Sequence, residues 1–192
     1  EGESDDSEEE VKEQQLVQLL PLPPAQLMDS EPRRQVRALH IYISFPSDFQ
    51  ALLQQHATSA LSSLASSESW LLCDPSMMHL SLSRPLLLTP HLVPALIDAL
   101  RQQLQAVWDP SRYLVLSSET VILPGGEKDS WYASFPVEGD YVHQLIGLVD
   151  TVLSSYQLPT YYQPAQPHVS YAQCSSAPLQ SQGHHSHSVF QV

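Results

Sequence analysis

The chain is 192 residues long and 42% apolar, which suits one domain, or two small lobes sharing a core, plus tails. Its net charge of −13 argues against a protein that coats nucleic acid, and two cysteines, Cys73 and Cys174, exclude a disulfide framework. The most apolar early stretch, Leu16 to Leu27, is broken by Pro21, Pro23 and Pro24 and preceded by acids, so neither a signal peptide nor a membrane span is expected there.

The charge is unevenly placed. Residues 1–13 hold eight acids and one Lys, which leaves the rest of the chain with a net of −6. Residues 1–34 therefore read as an acidic, proline-interrupted disordered tail, 35–174 as the folded domain, and 175–192 as a disordered tail rich in Ser, Gln and His. A chain that opens on Glu1 rather than Met is expected to belong to a longer or processed product. The expectation is a soluble, intracellular monomer without a membrane partner. Any RNA contact must be small and local, with Arg33, Arg34, Arg37, Arg84, Arg101, Arg112 and Lys128 as the candidate cations.

In chain order, Leu39, Ile41, Ile43 and Phe45 alternate with His40, Tyr42 and Ser44, which predicts one half-buried strand ended by Pro46. Ser47 or Asp48 then caps a helix to about Ser66, with Leu52, Leu53, Ala60, Leu61 and Leu64 on its buried face. Serines 62 to 69 read as a loop, followed by a strand over residues 76–83. Thr89-Pro90 starts a second helix, running to about Trp108 on Leu92, Leu96, Leu100 and Leu104, and Asp109-Pro110 stops it. Tyr113 to Leu123 reads as extended, Pro124-Gly125-Gly126 as a turn, and Ser130 to Val137 as a strand. A third helix follows Glu138-Gly139-Asp140 to about Tyr156, burying Val142, Leu145, Ile146, Val149 and Leu153.

Two stretches stand out. Met78-His79-Leu80-Ser81-Leu82-Ser83 is echoed by Pro167-His168-Val169-Ser170-Tyr171-Ala172. On a strand, His79, Ser81 and Ser83 share one side and Leu80 and Leu82 the other; His168 and Ser170 likewise oppose Val169 and Tyr171. A rise of about 3.3 Å per residue puts each His about 7 Å from its Ser. If the strands are neighbours, two imidazoles and two hydroxyls face one groove. Pro167 lacks an N–H, so it belongs at an edge or a strand's first residue.

That set suits cleavage of an RNA phosphodiester by its own 2′-hydroxyl. One imidazole takes the 2′-OH proton and the other protonates the departing 5′ oxygen, because imidazole titrates near neutral pH. The serines, with backbone amides, would hold the non-bridging oxygens as charge grows. Neither a metal, nor another cofactor, nor a nucleophilic side chain is required.

The paired His-x-Ser motifs resemble those of the 2H phosphoesterases, and among these the chain is most similar to the U6 small nuclear RNA phosphodiesterases. The resemblance extends to Leu39-His40-Ile41-Tyr42-Ile43, the helix after Arg84, and Tyr162-Gln163-Pro164, and covers residues 36–174. It implies an α+β, two-lobed fold with pseudo-two-fold symmetry, in which antiparallel sheets flank a central groove and helices lie outside. It implies His79 and His168 as the catalytic pair, the second usually the base and the first the acid. Ser81 and Ser170 would bind phosphate, and Tyr162 would stack on a base. Such stacking tolerates any sequence. The implied activity is 3′→5′ trimming of U- or A-ended RNA, U6 small nuclear RNA in the nucleus, leaving a 2′,3′-cyclic or single phosphate. The alternatives are another 2H activity, such as 2′,3′-cyclic phosphodiesterase, or a degenerate, non-catalytic protein that binds RNA ends. Family members carry further strands after the second motif; here no periodic apolar pattern follows Ser175.

His184-His185-Ser186-His187 suggests a metal cluster but sits in low-complexity sequence, so no metal site is assigned. His40 is expected to play a structural hydrogen-bonding role, and His91 and His143 to lie on the surface. Trp70, Trp108 and Trp131 are expected in the core or between lobes.

Overall fold

The computed structural model describes residues 36–64, 70–109, 111–125, 130–175 and 189–191. The acidic tail 1–34, the serine-rich loop from residue 65, Lys128 and the cluster of His184, His185 and His187 lie outside the described residues.

The chain begins with β1 (Arg37–Leu39), β2 (Tyr42–Ser44) and α1 (Ser47–Leu64). β3 (Leu71–Leu72), a 3-10 turn at Pro75–Met77, β4 (His79–Ser81) and β5 (Leu86–Leu88) follow. A second 3-10 turn at Pro90–Leu92 leads into α2 (Val93–Val107). β6 (Val115–Ser117), β7 (Val121–Pro124), β8 (Trp131–Glu138) and α3 (Asp140–Ser155) come next, and β9 (His168–Cys174) and β10 (Val189–Gln191) complete the set. The expected α+β class is observed. No helix among the described residues is long and apolar enough to cross a membrane.

Two compact units divide the chain, and they are not its two halves. Among the described residues the first draws on 36–43, 81–109 and 144–163, the second on 44–64, 70–80, 111–125, 130–143, 164–175 and 189–191. In the first unit β1 pairs antiparallel with β5, Arg37 opposite Leu88 and Leu39 opposite Leu86. The single strand expected over 39–45 is instead two, because the backbone between them is bonded irregularly. The Ile41 carbonyl accepts from both Leu82 N–H (2.8 Å) and Ser83 N–H (3.1 Å), while Ile41 N–H donates to Ser83 Oγ (3.0 Å). His40 Nε2 lies 3.2 Å from the Ser83 carbonyl, the structural role expected of it. Ser83 is 2% exposed. It therefore locks this junction and does not share the outlook of His79 and Ser81, which corrects the strand reading beyond Ser81.

α2 buries Val93, Leu96 and Leu100, close to the expected stripe. It starts at Val93 because Pro90 and Pro94 carry no N–H for an earlier ladder, and a 3-10 turn fills the gap. Trp108, expected inside, is 57% exposed and only closes the helix, its N–H donating to the Leu104 carbonyl (2.8 Å). Within the same unit, Tyr156 donates its hydroxyl proton to the Ala95 carbonyl (2.9 Å), and Asp150 Oδ1 accepts Tyr161 N–H (2.7 Å). α3 buries all five residues expected of it. Gly139, at φ +102°, makes the turn from β8 into this helix, a conformation that a side chain at this position would strain.

The second unit carries an antiparallel sheet in the order β6–β8–β9–β4. β7 shares the β6 edge of β8, and β3 shares the β4 edge of β9. β10 pairs with the far side of β6, Val189 opposite Ser117, a strand placed where no element was expected. α1 buries Leu53 and Ala57, while Leu52, expected inward, is exposed.

Ser83→Ala should leave the Ile41 N–H buried without its acceptor and cost about 1–3 kcal/mol of stability, read by urea denaturation. A variant as stable as the parent would contradict the locking role.

Candidate active site

Both motif histidines belong to the second unit, one on each of two neighbouring strands. Asp74 begins the approach to the first. Its Oδ1 accepts Ser76 N–H (2.9 Å) and the Ser76 hydroxyl (2.6 Å), capping the turn at Pro75–Met77. Met78 then leaves in extended conformation and delivers His79 as the first residue of β4. Pro167 does the equivalent for His168. It stands one residue ahead of β9, where it has no ladder N–H to lose, and its carbonyl accepts Val137 N–H (2.8 Å).

β4 and β9 run antiparallel with Leu80 opposite Val169, both 0% exposed. Counting outward from that pair along antiparallel strands, His79 and Ser170 are the next residues on each side. Strand alternation then places His79, His168 and Ser170 on the face that Leu80 and Val169 do not use. All three are half-buried. Ser81, also half-buried, lies two residues beyond His79 along β4.

The two imidazoles are held alike. His79 Nδ1 lies 2.7 Å from the Met77 carbonyl, and His168 Nδ1 lies 2.6 Å from the Gln166 carbonyl. A carbonyl accepts only, so Nδ1 carries the proton and the lone pair of each neutral ring sits on Nε2. Sequence reasoning missed these carbonyls, since a backbone acceptor two residues before a histidine leaves no residue signature. Burial holds His79 below the ordinary imidazole value; the Met77 bond opposes this, and positive charge on His168 lowers it further. Burial lowers His168 too, against the Gln166 bond.

One residue not anticipated joins this face. Ser134 of β8 lies opposite Ser170, is 0% exposed, and sets its Oγ 3.0 Å from Ser170 Oγ. A β-bulge brings it there. The ladder runs Ala133 opposite Ala172 and then Ser134 opposite Ser170, leaving Tyr171 as the extra residue of β9. Tyr171 and Ala172 are therefore buried in succession, Tyr171 stacking on Phe135 at 4.4 Å and meeting Thr120 Oγ1 at 2.8 Å through its hydroxyl. The sequence signal was that break in alternation, two buried residues running.

Tyr162 belongs to the first unit and is 51% exposed. The Arg84 guanidinium lies over its ring, 4.6 Å from the centroid, and Arg84 Nη2 donates to the Tyr161 carbonyl (3.1 Å). Arg84 is thus held by its neighbours, as are two more of the candidate cations. Arg101 pairs with Asp98 at 3.2 Å, and Arg112 lies over the Tyr141 ring at 5.3 Å. Among the described residues no group of three or more His, Cys, Asp or Glu is placed to hold a metal ion. His91 and His143 are exposed, as expected.

The chain is similar to known proteins in sequence and in fold. A family model described as "HVSL: Uncharacterised conserved protein" matches residues 35–192. U6 snRNA phosphodiesterase 1 of Bos taurus is 27% identical over 154 residues, 76% of this chain and 54% of that protein. The Xenopus laevis protein of the same name is 27% identical over 141 residues, 71% of this chain and 53% of its own. The chain spans about half the length of the curated relatives it matches. Among solved structures, TT0787 of Thermus thermophilus shares the fold, with a TM-score of 0.53 at 15% identity over 82% of this chain and 83% of that one.

Because burial lowers both imidazoles, NMR titration should find His79 and His168 each losing its proton below the ordinary pH of about 6.5. Midpoints at or above that value would contradict the account of their surroundings.

Proposed function

The chain belongs to the HVSL family, and from its likeness to two U6 snRNA phosphodiesterases we propose that it is an RNA phosphodiesterase acting at a 3′ end. The observation that carries this reading is the matched pair of imidazoles, each half-buried, each bonded at Nδ1 to a backbone carbonyl, on adjacent antiparallel strands. That two relatives are U6 snRNA phosphodiesterases supports U6 small nuclear RNA as the substrate; trimming of its 3′ end in the nucleus is the finer part of the same proposal.

In the reaction proposed, the neutral imidazole takes at Nε2 the proton of the penultimate nucleotide's 2′-hydroxyl. That oxygen attacks the adjacent phosphorus, and the bond from phosphorus to the terminal nucleoside's 5′ oxygen breaks. The second imidazole, protonated, gives its Nε2 proton to the departing oxygen. The RNA then ends in a 2′,3′-cyclic phosphate and one nucleoside leaves. With the roles reversed, a water can open the ring to a single phosphate. Ser170 donates to a non-bridging oxygen as negative charge builds there, and Ser81 takes the same part by the match of its motif. The protons move between two imidazoles and a substrate hydroxyl, so the scheme asks for no metal.

Tyr162 takes the base-stacking part. Arg84 over its ring and the Tyr161 ring at 5.7 Å hold it in place, and its exposed half is what a base would meet. A ring so backed is a fixed platform, and stacking contributes about 1–3 kcal/mol per base whatever its identity.

The test is incubation with a 3′-hydroxyl oligouridylate in EDTA, beside His79→Ala and His168→Ala. A ladder shortening from the 3′ end is expected, with each variant slower by about 10²–10⁴-fold. A folded protein that binds the oligonucleotide without shortening it would replace this reading with that of an RNA-end binder. Activity only on 2′,3′-cyclic phosphate ends would replace it with a cyclic phosphodiesterase.

A further inference from the structure

We propose that Ser134 is a positioning residue, acting through Ser170, that aims the Ser170 hydroxyl at the scissile phosphate. This rests on the phosphodiesterase reading above and adds to it a residue outside both motifs.

Burial is what constrains Ser134. At 0% exposure its hydroxyl has no water to turn to, and a buried O–H must find an acceptor or cost the fold its desolvation. Among the described residues the hydrogen bond found for it is the one to Ser170 Oγ at 3.0 Å. A serine hydroxyl donates one proton and accepts with two lone pairs. When Ser134 donates to Ser170 Oγ, the Ser170 proton is released from that bond. It can then turn to the face that His79 takes by alternation from Leu80, which pairs with Val169 beside Ser170. Ser134 and Ser170 thus meet across β8 and β9 on the face that His79 shares.

Two further effects favour the arrangement. A hydroxyl that accepts one hydrogen bond is a better donor in the next, because chained bonds polarise each other. A hydroxyl already aimed need not be ordered when charge develops on the phosphate, which is where a prearranged donor acts. The bulge at Tyr171 is the structural investment behind the contact. Continued without it from Ala133 opposite Ala172, the ladder would set Ser134 against Tyr171, whose ring faces the Phe135 side. A strand that needed only packing at this point would have no use for a hydroxyl at 0% exposure.

The role differs from that of a merely buried polar group in one measurable way: it vanishes when Ser170 has no hydroxyl to aim. Steady-state kinetics on 3′-hydroxyl oligouridylate should be measured for Ser134→Ala, Ser170→Ala and the double variant, with a thermal melt of each. Ser134→Cys is measured alongside, since it leaves no void and replaces the strong donor with a weak one if the alanine fails to fold. Ser134→Ala or Ser134→Cys is expected to lower kcat by about 3- to 10-fold with KM little changed, the worth of one hydrogen bond. In the Ser170→Ala background the same substitution should cost nothing more. An unchanged kcat, or the same fall with and without Ser170, would overturn the proposal. If Ser170→Ala alone were as fast as the parent, the phosphate-binding role of Ser170 would fall first, and that outcome is distinct from the other two.

Discussion

Leu80 and Val169 face each other across β4 and β9, both shut from solvent, and the site in the second unit depends on that one pairing. Side chains alternate along a strand, so burying these two residues on one face forces His79, His168 and Ser170 onto the other. A slip of one residue would turn the whole set inward and bring leucine and valine out, at a cost of several buried apolar side chains. The hydrophobic effect therefore fixes the direction of these polar side chains, although it touches none of them. Hydrogen bonds donated by Nδ1 to two backbone carbonyls then fix which ring nitrogen each histidine offers.

The same half-burial shapes the proton chemistry. Desolvation disfavours the imidazolium and the bond at Nδ1 favours it, while charge on His168 further disfavours charge on His79. Because both imidazoles are lowered, each gives up its proton on the acid side of its ordinary value. The proposed reaction uses the state in which one ring is neutral and its partner protonated. The identical tethering of the rings suits a site in which base and acid exchange parts between transesterification and ring opening.

Much of this was legible in the sequence, where local pattern and final packing agree. α3 shows it best, since its five apolar positions at helical spacing are all buried. The two His-x-Ser stretches were visible because apolar residues separate their polar ones, and Pro167 announced where β9 begins. Elsewhere the deciding information was not local. Leu86-Leu87-Leu88 has no alternation to read, yet it forms β5 with its outer leucines buried and Leu87 62% exposed. Trp108 is as apolar as Trp70 but closes a helix at the surface. Ser134 looks like any serine among aromatic residues until a bulge on a strand 36 residues away puts Ser170 beside it. The short β10 is defined by its pairing with β6, which no periodicity in three residues reveals. Each of these rests on a partner distant in the chain.

The central claim is that the substrate supplies its own nucleophile and the two histidines only move protons. It is tested by two oligouridylates, one lacking the 2′-hydroxyl at the penultimate nucleotide and the other lacking it at the terminal nucleotide. The account predicts that the first resists cleavage altogether, while the second loses its terminal nucleoside and the product carries a 2′,3′-cyclic phosphate. Cleavage of the penultimate-deoxy substrate at the rate of the all-ribose one would mean that water or a side chain attacks the phosphorus, and the mechanism would be wrong.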